Sequence, residues 1–151
     1  MPFSNQILQT ETGFILIDGK GRKHRLPQSI LSESYQVPFE GIQVSPAEDD
    51  HIVVDFGRDW SFYFRSFDTG QRYHLVLQHN TQSDEKVELN YLLLQQRAFL
   101  QSVEFKLKSA TQRLKFAYNP QVQIIAIFVD EEAEPLARYN YDTQGDRKSV
   151  V

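Results

Sequence analysis

The segment from His51 to His79 constrains the fold more than any other part of the chain. Apolar and polar residues alternate along three consecutive runs, a period that is typical of β-strands with one buried face. The large side chains expected on that face are Ile52, Val54, Phe56, Trp60, Phe62, Phe64, Tyr73, Leu75 and Leu77. The segment therefore predicts a three-stranded antiparallel meander in the core, with Phe64 opposite Leu75 and Phe62 opposite Leu77.

Other segments predict further hairpins on either side of this meander. Strands are expected at 14–17, 22–26, 41–44, 86–93, 103–108, 113–118, 122–129 and 136–141. Turns join them, including one over 68–71 inside the meander and one over 109–112. The run 122–129 is almost continuously apolar, which predicts a central strand covered on both faces.

Two segments are less regular. Residues 27–50 are rich in Pro and Ser, and they predict loops with one short helical turn near Ile30. Residues 84–101 fit either a helix or a strand, because a helix-like N-terminal signal precedes a strictly alternating run. Our interpretation is a strand to Leu93 followed by one or two helical turns over 95–101.

The pattern as a whole predicts an all-β fold with minor helical content. Many short strands linked by short turns indicate an antiparallel β-sandwich or a partly open β-barrel built from consecutive hairpins. A length of 151 residues fits one domain. We assign this domain to residues 1–142 and expect residues 143–151 to be a flexible tail. We see no internal repeat.

Composition excludes several classes of protein. The chain has no Cys, so it has neither disulfides nor thiolate metal sites, and this fits a reducing compartment. Its first residues lack the apolar stretch of a signal peptide, and no run approaches the roughly 20 apolar residues that cross a bilayer. We therefore expect a cytoplasmic protein without membrane contact.

Catalytic, metal and cofactor motifs are missing from the sequence. The histidines are spaced too widely along the predicted strands to share a metal: His24, His51, His74 and His79. The chain has no nucleophile elbow, EF-hand loop or phosphate-binding loop. We therefore expect a protein that is not an enzyme and has no cofactor.

The outward face of the meander is the first candidate site. Tyr63, Arg65, Phe67 and His74 are expected there, and exposed aromatic residues beside arginine are typical of protein interfaces. This favours a non-catalytic interaction or adaptor domain that binds a protein partner or a second copy of itself. The alternative is a barrel that carries a small ligand, which needs an internal cavity instead of a filled interior.

Basic residues form the second candidate site, on a protein whose net charge is −4. A turn at 109–112 would place Lys106 opposite Lys115 and Lys108 opposite Arg113. Carboxylates of the adjacent strands could relieve this repulsion. A second basic arm holds Lys20, Arg22, Lys23 and Arg25. If the two arms lie side by side, they form a stripe suited to an anionic ligand or single-stranded nucleic acid.

Overall fold

The computed structural model describes residues 5–57, 59–67, 71–145 and 147–150, the last segment as backbone only. Its strands are β1 (Gln6–Gln9), β2 (Gly13–Ile17), β3 (Lys23–Pro27), β4 (Tyr35–Val37), β5 (Ile42–Pro46), β6 (His51–Phe56), β7 (Trp60–Ser66), β8 (Arg72–Asn80), β9 (Lys86–Leu94), β10 (Arg97–Lys106), β11 (Thr111–Tyr118), β12 (Ile124–Val129), β13 (Ala137–Tyr141) and β14 (Arg147–Val150). Two short 3-10 segments, Gln28–Leu31 and Glu48–Asp50, are the helical content of the described residues. The predicted all-β class and its construction from consecutive antiparallel hairpins are confirmed.

Strands β1 to β8 form a curved sheet that we call the half-barrel. Its strand order is β3-β2-β1-β8-β7-β6-β5-β4, and no ladder of the described residues joins β3 to β4. The half-barrel is therefore open at that edge, which fits the predicted partly open barrel. Ile30, in the 3-10 segment between these two strands, is fully buried and packs with the core there.

The meander forms as predicted, but its register changes within β7 and β8. Phe64 lies opposite Leu75, as expected, whereas Leu77 lies opposite Tyr63 because Val76 forms a bulge. The predicted pairing of Phe62 with Leu77 is therefore wrong, and Leu77 faces away from the core. The turn predicted over 68–71 falls largely on residues outside those described.

The second edge of β8 divides between two strands. β1 pairs with residues 72–74 of β8, and β9 pairs with residues 77–79. We call this point the fork. From the fork, β9 to β14 continue as a second, sequential meander that we call the C-terminal sheet.

The C-terminal sheet corrects two predictions. Residues 97–106 are strand β10 instead of helical turns, because Gln95 and Gln96 both have positive φ and make a tight hairpin turn. β12 is not a central covered strand. It is the third strand from one end of the sheet. A bulge at Ile125 also interrupts its alternation between the two faces, which the continuous apolar run does not reveal. The segment expected as a flexible tail, residues 143–151, includes β14, which pairs with β13. Its flexibility stays a prediction.

Three hairpins share one arrangement of tyrosine hydrogen bonds, and we call them the tyrosine hairpins. They are β8–β9, β10–β11 and β12–β13, in which the hydroxyls of Tyr91, Tyr118 and Tyr141 donate to the backbone carbonyls of Leu75, Leu100 and Ile124. The last backbone pairs are Leu77 with Glu88, Ser102 with Lys115, and Ala126 with Arg138. In every case the tyrosine lies three residues after its last paired residue, and the acceptor lies two residues before.

The physical reason for this repeat is the divergence of the two strands. Beyond the last pair, the carbonyl of the first strand has lost its ladder donor, and a buried carbonyl without a donor is costly. A tyrosine is long enough to supply the missing hydroxyl donor from the diverging strand. The internal repeat, which the sequence did not reveal, is therefore a repeat of hydrogen-bonding geometry.

Candidate interaction surfaces

A row of paired apolar residues crosses four adjacent strands, and its residues become less buried toward β12. Leu89 pairs with Val103, Val103 with Leu114, and Leu114 with Val129. Leu89 and Val103 are 3% and 0% exposed and belong to the core, whereas the two residues farther along are only half-buried. The next row, from Phe116 through Ile127 to Ala137, is half-buried throughout. We call the half-buried part of both rows the open face.

The total surface agrees with this local picture. The accessible surface is 10043 Å², whereas a compact monomer of this mass, 17.6 kDa, is expected to expose about 7,900 Å². The excess is about 2,100 Å². Five of the large exposed apolar residues lie between β9 and β13: Leu93, Leu94, Leu107, Ile125 and Leu136. The C-terminal sheet is thus a single layer whose apolar residues are incompletely covered.

The predicted partner patch is brought together in part at the fork. The Phe67 and His74 rings lie 6.0 Å apart, and the Tyr91 ring is 5.2 Å from each. The Arg65 guanidinium lies 5.4 Å from the Phe67 ring centroid. Tyr63 stands apart from this aromatic cluster, opposite Val53 and Leu77. Its role as a partner-binding residue stays a prediction.

Tyr91 belongs to this cluster but was missed from the sequence. Burial, with a smaller contribution from Tyr118, raises the pKa of Tyr91 well above its usual range, so the hydroxyl stays protonated and donates. Its position in an alternating strand gave no sign of this contact, because the fork that admits the ring depends on pairing between distant segments.

The basic residues of β10 and β11 face carboxylates instead of one another. The predicted register is wrong, because the turn lies between Leu107 and Ala110 and places Lys106 opposite Thr111. The ion pairs are Lys106 with Glu88 at 2.9 Å, Arg113 with Glu104 at 3.6 Å, and Lys115 with Glu131 at 3.0 Å. The hydrogen bond to Glu88 also raises the pKa of Lys106. Lys108 is exposed in the turn.

The second basic arm lies at the opposite edge of the molecule's strand order. β3 is the free edge of the half-barrel, and no ladder of the described residues joins it to β10 or β11. Lys20, Lys23 and Arg25 are exposed there, while the fourth residue, Arg22, is bound by Asp18 and approaches Glu40. The two arms therefore form no continuous ladder, and anion binding by either arm stays a prediction.

Asp18 organises this arm as a structural anchor. Its buried carboxylate accepts hydrogen bonds from the backbone N–H groups of Lys20 and Arg22, both at 2.9 Å. It also accepts from Arg22 Nε and His24 Nε2, both at 3.0 Å. Burial alone would raise the pKa of Asp18, but these hydrogen bonds together lower it far below its usual value. All four acceptor positions of the carboxylate are used, so Asp18 has a structural role.

The interior of the half-barrel is filled by side chains. Thirteen buried side chains from β1 to β8 and the adjoining 3-10 segment pack with Leu89 and Val103 in one core. A cavity of about 350 Å³ opens at one end of the half-barrel, between the turns near Asp18, Glu40 and Gly57. Phe56 and Phe62 form its apolar wall, with ring centroids 4.9 Å apart. It is an open mouth beside the core and not an internal channel.

Two further properties concern only the described part of the chain. Within it, no group of three or more His, Asp or Glu side chains is arranged to hold a metal ion. None of its helical segments has the length and apolar character needed to cross a bilayer. Searches against protein-family models and curated proteins find no match to this chain.

Proposed function

We propose that this protein is a non-catalytic interaction module that associates with a second copy of itself through the open face of the C-terminal sheet. The observation that carries the proposal is the change in burial along the apolar row from Leu89 to Val129. All four residues of the row are apolar and paired across neighbouring strands, but only Leu89 and Val103 are buried in the core. A sheet with an apolar face is stable when a second layer covers that face.

The amount of surface supports a second copy as the covering layer. A stable interface of ordinary size removes about 800 Å² from each partner. The excess over a compact monomer, about 2,100 Å² for the whole chain, is large enough to include a face of this size. In a twofold symmetric dimer the same apolar patch meets itself, so the open face needs no other partner surface.

The filled interior favours this function over the carrier of a small ligand. A carrier needs an enclosed cavity, whereas core side chains fill the interior of the half-barrel and the cavity near Phe56 and Phe62 is an open mouth beside them. Neither the filled core nor the ion-paired basic residues present a reactive group to a substrate. A surface is therefore the part of this molecule best suited to bind a partner.

Light scattering after gel filtration tests the proposal. We expect the parent chain to have twice its monomer mass of 17.6 kDa at micromolar concentration. The double variant Ile127→Thr/Val129→Thr should be monomeric, because each threonine places a hydroxyl in the apolar contact. Val53→Thr is the matched control: Val53 is equally half-buried but lies on the outer face of the half-barrel.

Two outcomes would contradict self-association through this face. One is a parent chain that stays monomeric at about 100 μM, a concentration at which even weak dimers with a Kd near 10 μM are mostly assembled. The other is a dimer that survives in the double variant but dissociates in Val53→Thr. The thermal unfolding of each variant should be measured first, so that loss of the dimer is read only from folded protein.

A further inference from the structure

A cleft of about 420 Å³ lies between the half-barrel and the tip of the β9–β10 hairpin. Among its lining residues are Gln9 of β1, Gln71 and Arg72 around the start of β8, and Gln96, Arg97 and Phe99 of the hairpin. The cleft lies on the β1 side of the fork, where β1 and β9 leave β8 in different directions. Its walls therefore come from three segments that are distant in sequence.

The charge of this cleft is opposite to that of the protein. Two arginines line it and no carboxylate does, although the chain carries a net charge of −4. Other arginines, such as Arg22 and Arg113, are paired with carboxylates. By contrast, no ion pair among the described residues involves Arg72 or Arg97. The side-chain amides of three glutamines add further hydrogen-bond donors.

The two guanidinium groups are carried on ordered backbone. Arg72 lies in a ladder position opposite Leu8, and the backbone N–H of Gln9 donates to the carbonyl of Gln71 at 2.7 Å. On the other wall, the Arg97 guanidinium lies 5.8 Å from the Phe99 ring centroid. Contact with an aromatic face restricts an arginine without neutralising it. The Phe99 ring thus restricts Arg97, while Arg72 is exposed beside it, and both charges remain accessible to an anion.

We infer that this cleft binds a small, multiply charged oxyanion, such as a diphosphate or a tricarboxylate. Guanidinium groups match the paired oxygens of phosphates and carboxylates, and two of them suit a ligand that carries at least two negative charges. The volume limits the ligand to a small molecule. This inference goes beyond self-association and uses residues outside the open face.

Isothermal titration of the parent chain with pyrophosphate and with citrate, at constant ionic strength, tests the inference. We expect at least one of them to bind with a Kd below about 1 mM. Binding of pyrophosphate alone would identify phosphates as the ligand class, and binding of citrate alone would identify carboxylates. Binding of both would indicate that the cleft selects charge and size. If neither binds, the inference is wrong.

Variants locate any binding that is observed. Arg72→Gln and Arg97→Gln should each weaken it by about tenfold or more, because each removes a charge-assisted contact. Arg138→Gln is the control, since Arg138 is exposed on β13 and forms its ion pair with Glu134. Equal weakening in all three variants would mean that the anion responds to net charge, which overturns the site. Arg97→Lys keeps the charge but not the paired geometry, so its affinity should lie between those of the parent and Arg97→Gln.

Discussion

Apolar and polar residues alternate along the strands of both the half-barrel and the C-terminal sheet, yet most of the buried apolar side chains lie in the half-barrel. All but two of the side chains in the core cluster come from residues 7 to 75. Side chains from β1 to β8 pack in one core, whereas Leu114, Ile127 and Val129 on β11 and β12 are only half-buried. Alternation thus predicts which side chains share a face, and only the three-dimensional path decides whether a second layer meets that face.

The two regions also compensate differently for breaks in their ladders. The open edge of the half-barrel is covered by Ile30 and held at one end by the buried Asp18 carboxylate. The C-terminal sheet has no such core, and its diverging strands are joined by tyrosine hydroxyls. We therefore expect substitutions that delete buried volume to act mainly on the first region, and deletion of single hydroxyls to matter in the second.

The largest expected contrast is between two phenylalanines at equivalent positions in the pattern. Phe64 is fully buried, and Phe64→Ala should lower the free energy of unfolding by about 3–5 kcal/mol. Phe116 packs against the edge of the same core but is half-buried, so Phe116→Ala should cost about 1–2 kcal/mol. Urea denaturation at low protein concentration, where the proposed dimer would be dissociated, measures both.

Equal losses of unfolding free energy in Phe64→Ala and Phe116→Ala would contradict the difference between the two regions. That result would mean that the C-terminal sheet is covered to the same extent as the half-barrel. An unfolding slope unchanged between the two variants is the control, because it shows that both are compared with the same unfolded state.

The sequence predicts which residues share the core face of the meander, but it does not predict which of them are fully buried. The pairing of Phe64 with Leu75 follows from alternation and holds in the structure. Phe62 was expected to be equally buried, yet the Val76 bulge shifts its partner to Gln78 and leaves it half-buried at the open mouth. A bulge inserts one residue without changing composition, so alternation alone could not reveal it.

The tyrosine hairpins show the same limit. Residues 88–91, 115–118 and 138–141 read ELNY, KFAY and RYNY, a charged residue followed by a large one, a small polar or apolar one, and tyrosine. The pattern is short and degenerate, and it acquires meaning only when the last backbone pair of each hairpin is known. The Arg72 and Arg97 cleft was missed for a related reason, because its residues come together only where the sheet divides at the fork.

The second prediction concerns Asp18 and separates the two regions by pH. Asp18→Asn removes the charge that four donors contact, and it should cost about 2–4 kcal/mol at pH 7. The pKa of Asp18 is lower in the folded chain than in the unfolded chain. Its contribution is therefore fully present above the unfolded value of about 3.9 and is lost as pH falls toward the folded value.

Urea denaturation of the parent and of Asp18→Asn between pH 7 and pH 3 measures this dependence. The difference in unfolding free energy between the two chains should be constant down to about pH 4.5 and then shrink. A difference that grows as the pH falls would contradict the sign. Asp84→Asn is the control, because the pKa of Asp84 is also lowered, by His79, but the carboxylate is solvent-exposed.

The smallest expected effects are those of the tyrosine hydroxyls, and they sharpen the account of the C-terminal sheet. Tyr91→Phe should cost about 1–2 kcal/mol, because it leaves the carbonyl of Leu75 without a donor in a part-buried site. Tyr118→Phe and Tyr141→Phe should each cost about 0.5–1.5 kcal/mol for the same reason. Tyr63→Phe is the matched control in the half-barrel, since none of the hydrogen bonds of the described residues involves the Tyr63 hydroxyl.

Hydrogen exchange at the hairpins distinguishes a shared role from three unrelated contacts. If each hydroxyl joins the diverging strands of its own hairpin, each substitution should speed amide exchange at the last backbone pair of that hairpin and leave the other two hairpins protected. The reason is local, because each bond spans one break in one ladder. Two results together would contradict this role: losses of unfolding free energy no larger than that of Tyr63→Phe, and unchanged exchange at all three breaks. They would show that backbone pairing alone, without the hydroxyls, holds the sheet together.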